Sequence, residues 1–130
     1  MQIAKLKMQK LNAKLKNDVK ARAFVLSLNI IELCEELPKK KAAWVITDQL
    51  LRSSMSIGAN ITEAQAATSK LEFKRYFEIA LKSARESTYW MGLLKMSRLI
   101  SAQRIEPLIV ETIEISNMLG KSVITLKSKK

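Results

Sequence analysis

The chain is 130 residues long, 48% of them hydrophobic, and carries 23 Lys and Arg against 12 Asp and Glu, a formal net charge of +11. That length supports one domain with a core of its own. With no histidine, one cysteine and three scattered glycines, the composition excludes Ser-His-Asp and Cys-His catalysis, an intramolecular disulfide, a zinc site and a glycine-rich phosphate loop.

A basic segment, 1–17, comes first. Lys5, Lys7, Lys10, Lys14 and Lys16 interrupt the apolar residues Ile3, Leu6, Met8, Leu11 and Leu15. No apolar signal core follows, which argues against export. The segment reads as a helical extension or a mobile arm.

The first amphipathic segment runs from about Asp18 to Leu37, with Ala23, Leu26, Ile30, Leu33 and Leu37 spaced 3-4-3-4. Phe24, Leu28 and Ile31 widen that stripe, so this helix is expected to bury two faces. Pro38 and the run Lys39-Lys40-Lys41 end it, since proline cannot continue the hydrogen-bond ladder. The second helix is predicted over about 42–66, with Ile46, Leu50, Ser53, Ile57, Ile61 and Ala64 on one side and Trp44, Leu51 and Met55 as a second apolar line. Gly58 in its middle costs about 1 kcal/mol of helicity relative to alanine. Close packing or a mild kink explains such a residue.

Ser69-Lys70-Leu71-Glu72 has the form of a capping box. The third helix follows to about Arg98, its stripe being Phe73, Phe77, Ala80, Ala84, Ser87, Met91 and Leu94. Small residues in that stripe complement those of the second helix. Residues 101–106 are expected to form the last turn, with Pro107 in the first turn of a fourth helix, where its missing amide costs little. That helix uses Ile105, Leu108, Thr112, Ile115, Leu119, Val123 and Leu126. The organisation expected is an all-α, antiparallel up-and-down four-helix bundle over 18–126, between the extension 1–17 and a basic tail, 127–130. The wide apolar faces of the first two helices exceed what one such core hides, which predicts a homo-oligomer.

Charge is unevenly placed. Residues 1–22 hold seven basic residues and one acid, and 121–130 hold four lysines and no acid, which leaves the body at +1. The candidate anion-binding residues are therefore Lys5, Lys7, Lys10, Lys14, Lys16, Lys20, Arg22, Lys121, Lys127, Lys129 and Lys130. Basic ends of this kind point to nucleic acid or an acidic membrane surface. Solvated ends that serve solubility are the plain alternative.

Catalytic chemistry is missing. Glu63, Glu72, Glu78 and Glu86 could supply carboxylates to a di-iron site, but the histidines such bundles use are absent. A surface ion-pair role fits them better, with Glu78–Lys82 and Lys82–Glu86 at i,i+4 spacing. Arg52, Asn60 and Glu63 interrupt apolar segments and suit a buried or inter-subunit polar network. Trp44 and the Tyr89-Trp90 pair could stack on bases, yet core or interface packing suits them better. Cys34 reads as a small core residue in a reduced, cytoplasmic setting. No apolar run reaches the roughly 20 residues that span a bilayer. No cofactor or metal is expected.

Beyond these readings, residues 17–126 resemble one protein family. The residues that carry the resemblance are Arg52-Ser53, Ser56 through Ile61 with Glu63, Ala64-Gln65-Ala66-Ala67, Ser69-Lys70, Phe73, residues 79–82, Ala84-Arg85-Glu86, Tyr89-Trp90 and Leu93-Leu94. They are similar to the four-helix-bundle family first known from intervening sequences in 23S ribosomal RNA genes. The resemblance implies an up-and-down bundle that assembles as a ring of five; the small residues and polar interruptions themselves make Arg52, Ser56, Gly58, Asn60, Glu63, Ala80, Ala84 and Trp90 the candidate packing or interface residues. It implies no enzymatic activity. An RNA-associated role follows from where the original members are encoded. A more distant relative, the accessory variability protein of diversity-generating retroelements, is a basic pentamer that binds nucleic acid and a reverse transcriptase. Three functions are thus open: a nucleic-acid-binding oligomer without strong sequence preference, which is favoured, an oligomeric scaffold for a protein partner, and peripheral attachment of the N-terminal segment to an anionic membrane.

Overall fold

The structure is a computed structural model that describes residues 18–128. The described residues form four helices and no strand: α1 (Val19–Glu35), α2 (Lys41–Gln65), α3 (Lys70–Met96) and α4 (Ala102–Ser128). Each helix packs on its neighbour in sequence, and α4 returns to α1, so the four enclose one core in antiparallel array. At 1.5 Å per residue α1 is roughly 25 Å long and the others roughly 40 Å. The short α1 leaves parts of its neighbours without cover.

Local chemistry sets the boundaries. Oδ1 of Asp18 accepts from the amides of Lys20 and Ala21 at 3.0 and 3.2 Å, which starts α1. Pro38 disfavours helical geometry at Leu37, and α1 has already ended at Glu35. Ser69 Oγ accepts from the Glu72 amide at 3.1 Å, as the capping box requires, while the Glu72 carboxylate is engaged by Thr68 Oγ1. The Lys95, Arg98 and Leu99 turn closes α3, the Leu99 amide donating to Leu94 O and the Arg98 amide to Lys95 O. Arg98 adopts φ 61° there, a place that favours glycine.

The fourth helix departs from expectation. It begins at Ala102, with Ser101 Oγ accepting from the Arg104 amide, so Pro107 sits inside the helix rather than in its first turn. Proline removes the bond that an amide at 107 would make to Gln103 O. Both residues are exposed, and water can satisfy that carbonyl.

The core follows the predicted stripes. Leu26, Ile30 and Leu33 meet Leu50, Ile57 and Ile61, then Ala80, Ala84, Met91 and Leu94, then Ile105, Ile115 and Leu119, all essentially without exposure. Small residues let α2 and α3 approach closely. At their contact Ser53 Oγ and Ser87 Oγ are 2.9 Å apart, and Ser87 also donates to Ser83 O. Thr112 donates to Leu108 O. These buried hydroxyls are therefore satisfied and cost little.

Candidate nucleic-acid interface

An even number of antiparallel helices puts both ends of the bundle's chain on one side. The start of α1, the end of α2, the start of α3 and the end of α4 share that end. Lys20, Lys70, Lys74, Arg75 and Lys127 stand there, and the segments that hold Lys5, Lys7, Lys10, Lys14, Lys16, Lys129 and Lys130 join the bundle there. Those seven lysines lie outside the described residues.

Two of the remaining candidates are held by side chains. Lys20 Nζ donates to Gln65 Oε1 at 2.9 Å and stays exposed. Arg22 departs from its expected role. Its Nε donates to Glu111 Oε2 at 2.8 Å, Nη2 pairs with the second Glu111 oxygen and reaches Glu114 at 3.2 Å, and Nη1 lies 3.6 Å from Met118 Sδ. The carboxylates, Glu111 foremost, hold the guanidinium above its ordinary pKa. Arg22 thus fastens α1 to α4 and offers no free charge to an anion.

The expected network of Arg52, Asn60 and Glu63 is not buried within the subunit. Arg52 and Glu63 are exposed on the outer face of α2. Asn60 is half-buried and donates to the carbonyl and hydroxyl of Ser56, which accepts from Ser83 Oγ at 2.9 Å. Ala80 and Ala84 are fully buried. A Cβ on Gly58 would meet Ala23 Cβ at 3.7 Å, an ordinary contact. The aromatics are less buried than core packing requires: Trp44 is 64% and Tyr89 60% exposed. Trp90 is half-buried and donates from Nε1 to Glu86 at 2.9 Å.

That bond also changes the charge on α3. Glu86 turns to Trp90, and Glu78 points toward Lys127 Nζ at 3.9 Å. Neither forms the expected pair with Lys82. Lys82 and Arg85 carry no ion pair among the described residues. They border a groove of about 430 Å³ between α3 and α4, with Leu81, Gly120, Val123 and Ile124 as its apolar floor and Lys127 on the far wall. Lys121, next to Gly120, is exposed. The body's charge of +1 concealed Lys82 and Arg85, because acids cancel them in the sum, whereas Lys121 and Lys127 are among the candidates the sequence offers. The polar face of α3 read alone hides them too, because Glu78 and Glu86 stand four residues on either side of Lys82.

A second, apolar groove of about 640 Å³ lies between α1 and α2, lined by Ala21, Phe24, Met55, Gly58, Ala59 and Thr62 among others. Phe24 is 63% exposed. At the opposite end, Arg104 donates twice to Glu36, at 2.8 and 2.7 Å, and Lys95 pairs with Glu106 at 2.6 Å. Cys34, half-buried near Thr47, has its thiol pushed up to about 11, by burial first and Glu35 second. Among the described residues no group of three or more acids, histidines or cysteines could hold a metal ion, and no helix is long and apolar enough to cross a membrane.

These features define a four-helix bundle with charged and apolar surface grooves. The chain belongs to the 23S rRNA-intervening sequence protein family, whose model matches residues 15–121. Among solved structures it is similar to a protein of unknown function from the S23 ribosomal protein family of Bacteroides thetaiotaomicron. The two share 34% identity and a TM-score of 0.76, over 81% of this chain and 97% of that one. Comparison with curated proteins gave no match.

Proposed function

We propose that this protein is a non-enzymatic, cytoplasmic homo-oligomer, a ring of five, that holds RNA or DNA by charge and without strong sequence preference. The observation that supports this reading is the grouping of Lys20, Lys70, Lys74, Arg75 and Lys127 at the end of the bundle where the described residues begin and end. Ring symmetry multiplies that surface. The apolar groove between α1 and α2 supplies a face for self-association, since its exposed Phe24 and Met55 lose water contact when covered.

The same groove favours a second reading, an oligomeric scaffold that takes a protein partner and uses its lysines for solubility. Titration of labelled RNA and DNA against the protein separates the two. Charge-driven binding releases condensed counterions, so affinity in the range of about 1–100 μM at low salt should weaken tenfold or more by roughly 200 mM. Replacing Lys5, Lys7, Lys10, Lys14 and Lys16 with glutamine should flatten that salt dependence. Failure to bind either polymer at about 50 mM salt gives the scaffold reading precedence.

A further inference from the structure

We propose that the groove between α3 and α4 is a binding site for single-stranded nucleic acid, with Lys82, Arg85, Lys121 and Lys127 on the phosphates and Tyr89 stacked on a base. The inference rests on the nucleic-acid reading above and assigns it a surface that the basic ends alone do not.

Three features converge. First, the cations are available. Lys82 and Arg85 have no ion pair among the described residues; of the two carboxylates beside them, Glu78 pairs with Lys127 at 3.9 Å, the limit of pairing, and Glu86 accepts from Trp90 Nε1. At the opposite end of the bundle Arg104 is neutralised by Glu36 and Lys95 by Glu106 at short range. Second, Lys82, Arg85 and Lys127 border an apolar floor, and Lys121 is exposed next to its Gly120. Ile124 is 69% exposed, and a Cβ on Gly120 would meet nothing within 4 Å, so the floor is open to a flat ligand. Third, Tyr89 continues the row. Lys82, Arg85 and Tyr89 follow at i, i+3 and i+7 and so share one face of α3, with Tyr89 about 6 Å beyond Arg85 along the helix. The Trp90 ring braces it edge-on, 5.0 Å between centroids.

A ligand that fits carries regular negative charge and flat apolar faces together. Single-stranded RNA or DNA does, because its bases are free to stack while its phosphates follow a cationic groove. A duplex hides its base faces and would leave Tyr89 and Ile124 without a role. An acidic peptide would use the cations and ignore the aromatic ring.

The test uses fluorescence anisotropy with labelled oligo(U) and oligo(dT), a duplex of the same length, and a poly-glutamate peptide. Four proteins are compared: the parent, K82Q/R85Q/K121Q/K127Q, Tyr89→Ala, and K39Q/K40Q/K41Q as a charge control at the opposite end. All changed residues are exposed, and thermal melts verify that each protein folds. Groove neutralisation should weaken single-strand binding tenfold or more and lower the salt slope, while the control changes it about twofold or less. Tyr89→Ala should weaken single-strand binding about fivefold or more, as expected for a lost stacking platform, and leave duplex binding unchanged. If the parent binds RNA or DNA but the groove variants match the control, the groove is not the site and the nucleic-acid reading stands. Poly-glutamate binding as tight as the oligonucleotides, with indifference to Tyr89→Ala, would reassign the groove to an acidic protein. If the parent binds no oligonucleotide at about 50 mM salt, both readings fall.

Discussion

Arg22 and Glu111 stand 89 residues apart in sequence and meet as a bidentate pair that ties the short α1 to α4. The side chains keep 12% and 20% of their exposure, so the pair is neither a surface bridge nor a fully dry one. Removing one partner strands the other charge in a partly apolar setting. Arg22→Ala should cost about 2 kcal/mol, between the values for exposed and buried pairs. Arg22→Lys should recover little, because a lysine cannot make the planar double bond. Urea unfolding measures the cost. The salt dependence of nucleic-acid binding should be the same in both variants as in the parent, since Arg22 offers no free charge.

Gly58 faces Ala23 across the α1–α2 contact. The sequence suggests close packing or a mild kink at this glycine, yet a Cβ there meets Ala23 Cβ at an ordinary 3.7 Å. Gly58→Ala should therefore stabilise the bundle by about 0.5–1 kcal/mol through helix propensity. Ala84 is fully buried, and Ala84→Leu should cost about 1–3 kcal/mol by overpacking. Two variants at small residues, opposite in sign, distinguish open from closed packing in one denaturation series.

Arg98 closes α3 with φ 61°, where a side chain crowds its own backbone. Arg98→Gly should raise stability by about 1 kcal/mol and shift the melting temperature up by a few degrees. A fall in stability would mean that the arginine side chain makes a compensating contact.

Cys34 illustrates what burial does to a thiol. Its folded pKa, about 11, lies above the value of about 8.5 for a free thiol. The folded state therefore holds the proton more tightly. Its contribution to stability is present below about pH 8.5 and is lost as pH rises toward 11. Iodoacetamide should modify Cys34 in the folded protein at pH 8 roughly tenfold more slowly than in urea, the loss of thiolate being partly offset by its greater nucleophilicity. Equal rates would show that the thiol is not shielded.

The bundle was legible because period-3.6 stripes such as Phe77, Ala80, Ala84, Ser87, Met91 and Leu94 record which side of a helix is dry. All six are buried. What the stripes cannot record is which long polar side chain reaches which partner. Arg22 reads as part of an anion-binding basic end because the other cations of 1–22 are lysines, whereas its partners come from the far helix. Lys82 was assigned to Glu78 and Glu86 by spacing, whereas Lys127 and Trp90 draw those acids away. Both errors have one cause: helix-face arithmetic describes a helix in isolation, and tertiary neighbours compete for its charges.

Phe24 and Met55 carry the assembly prediction. They lie on the outer walls of the α1–α2 groove, 63% and 43% exposed, where the wide apolar faces read from sequence remain without cover in the single subunit. Covering them with a second copy offsets the ordering that association demands, and a charge placed there opposes it. The parent should be a homo-oligomer, a pentamer, by light scattering at micromolar concentration. Phe24→Glu combined with Met55→Glu should dissociate it while helicity by circular dichroism stays within a few percent, because neither side chain belongs to the buried core. A parent that is monomeric across that concentration range sinks the ring. An oligomer indifferent to both glutamates moves its interface to another face, and the exposed outer row of α2 with Arg52 and Glu63 is then the surface to change next.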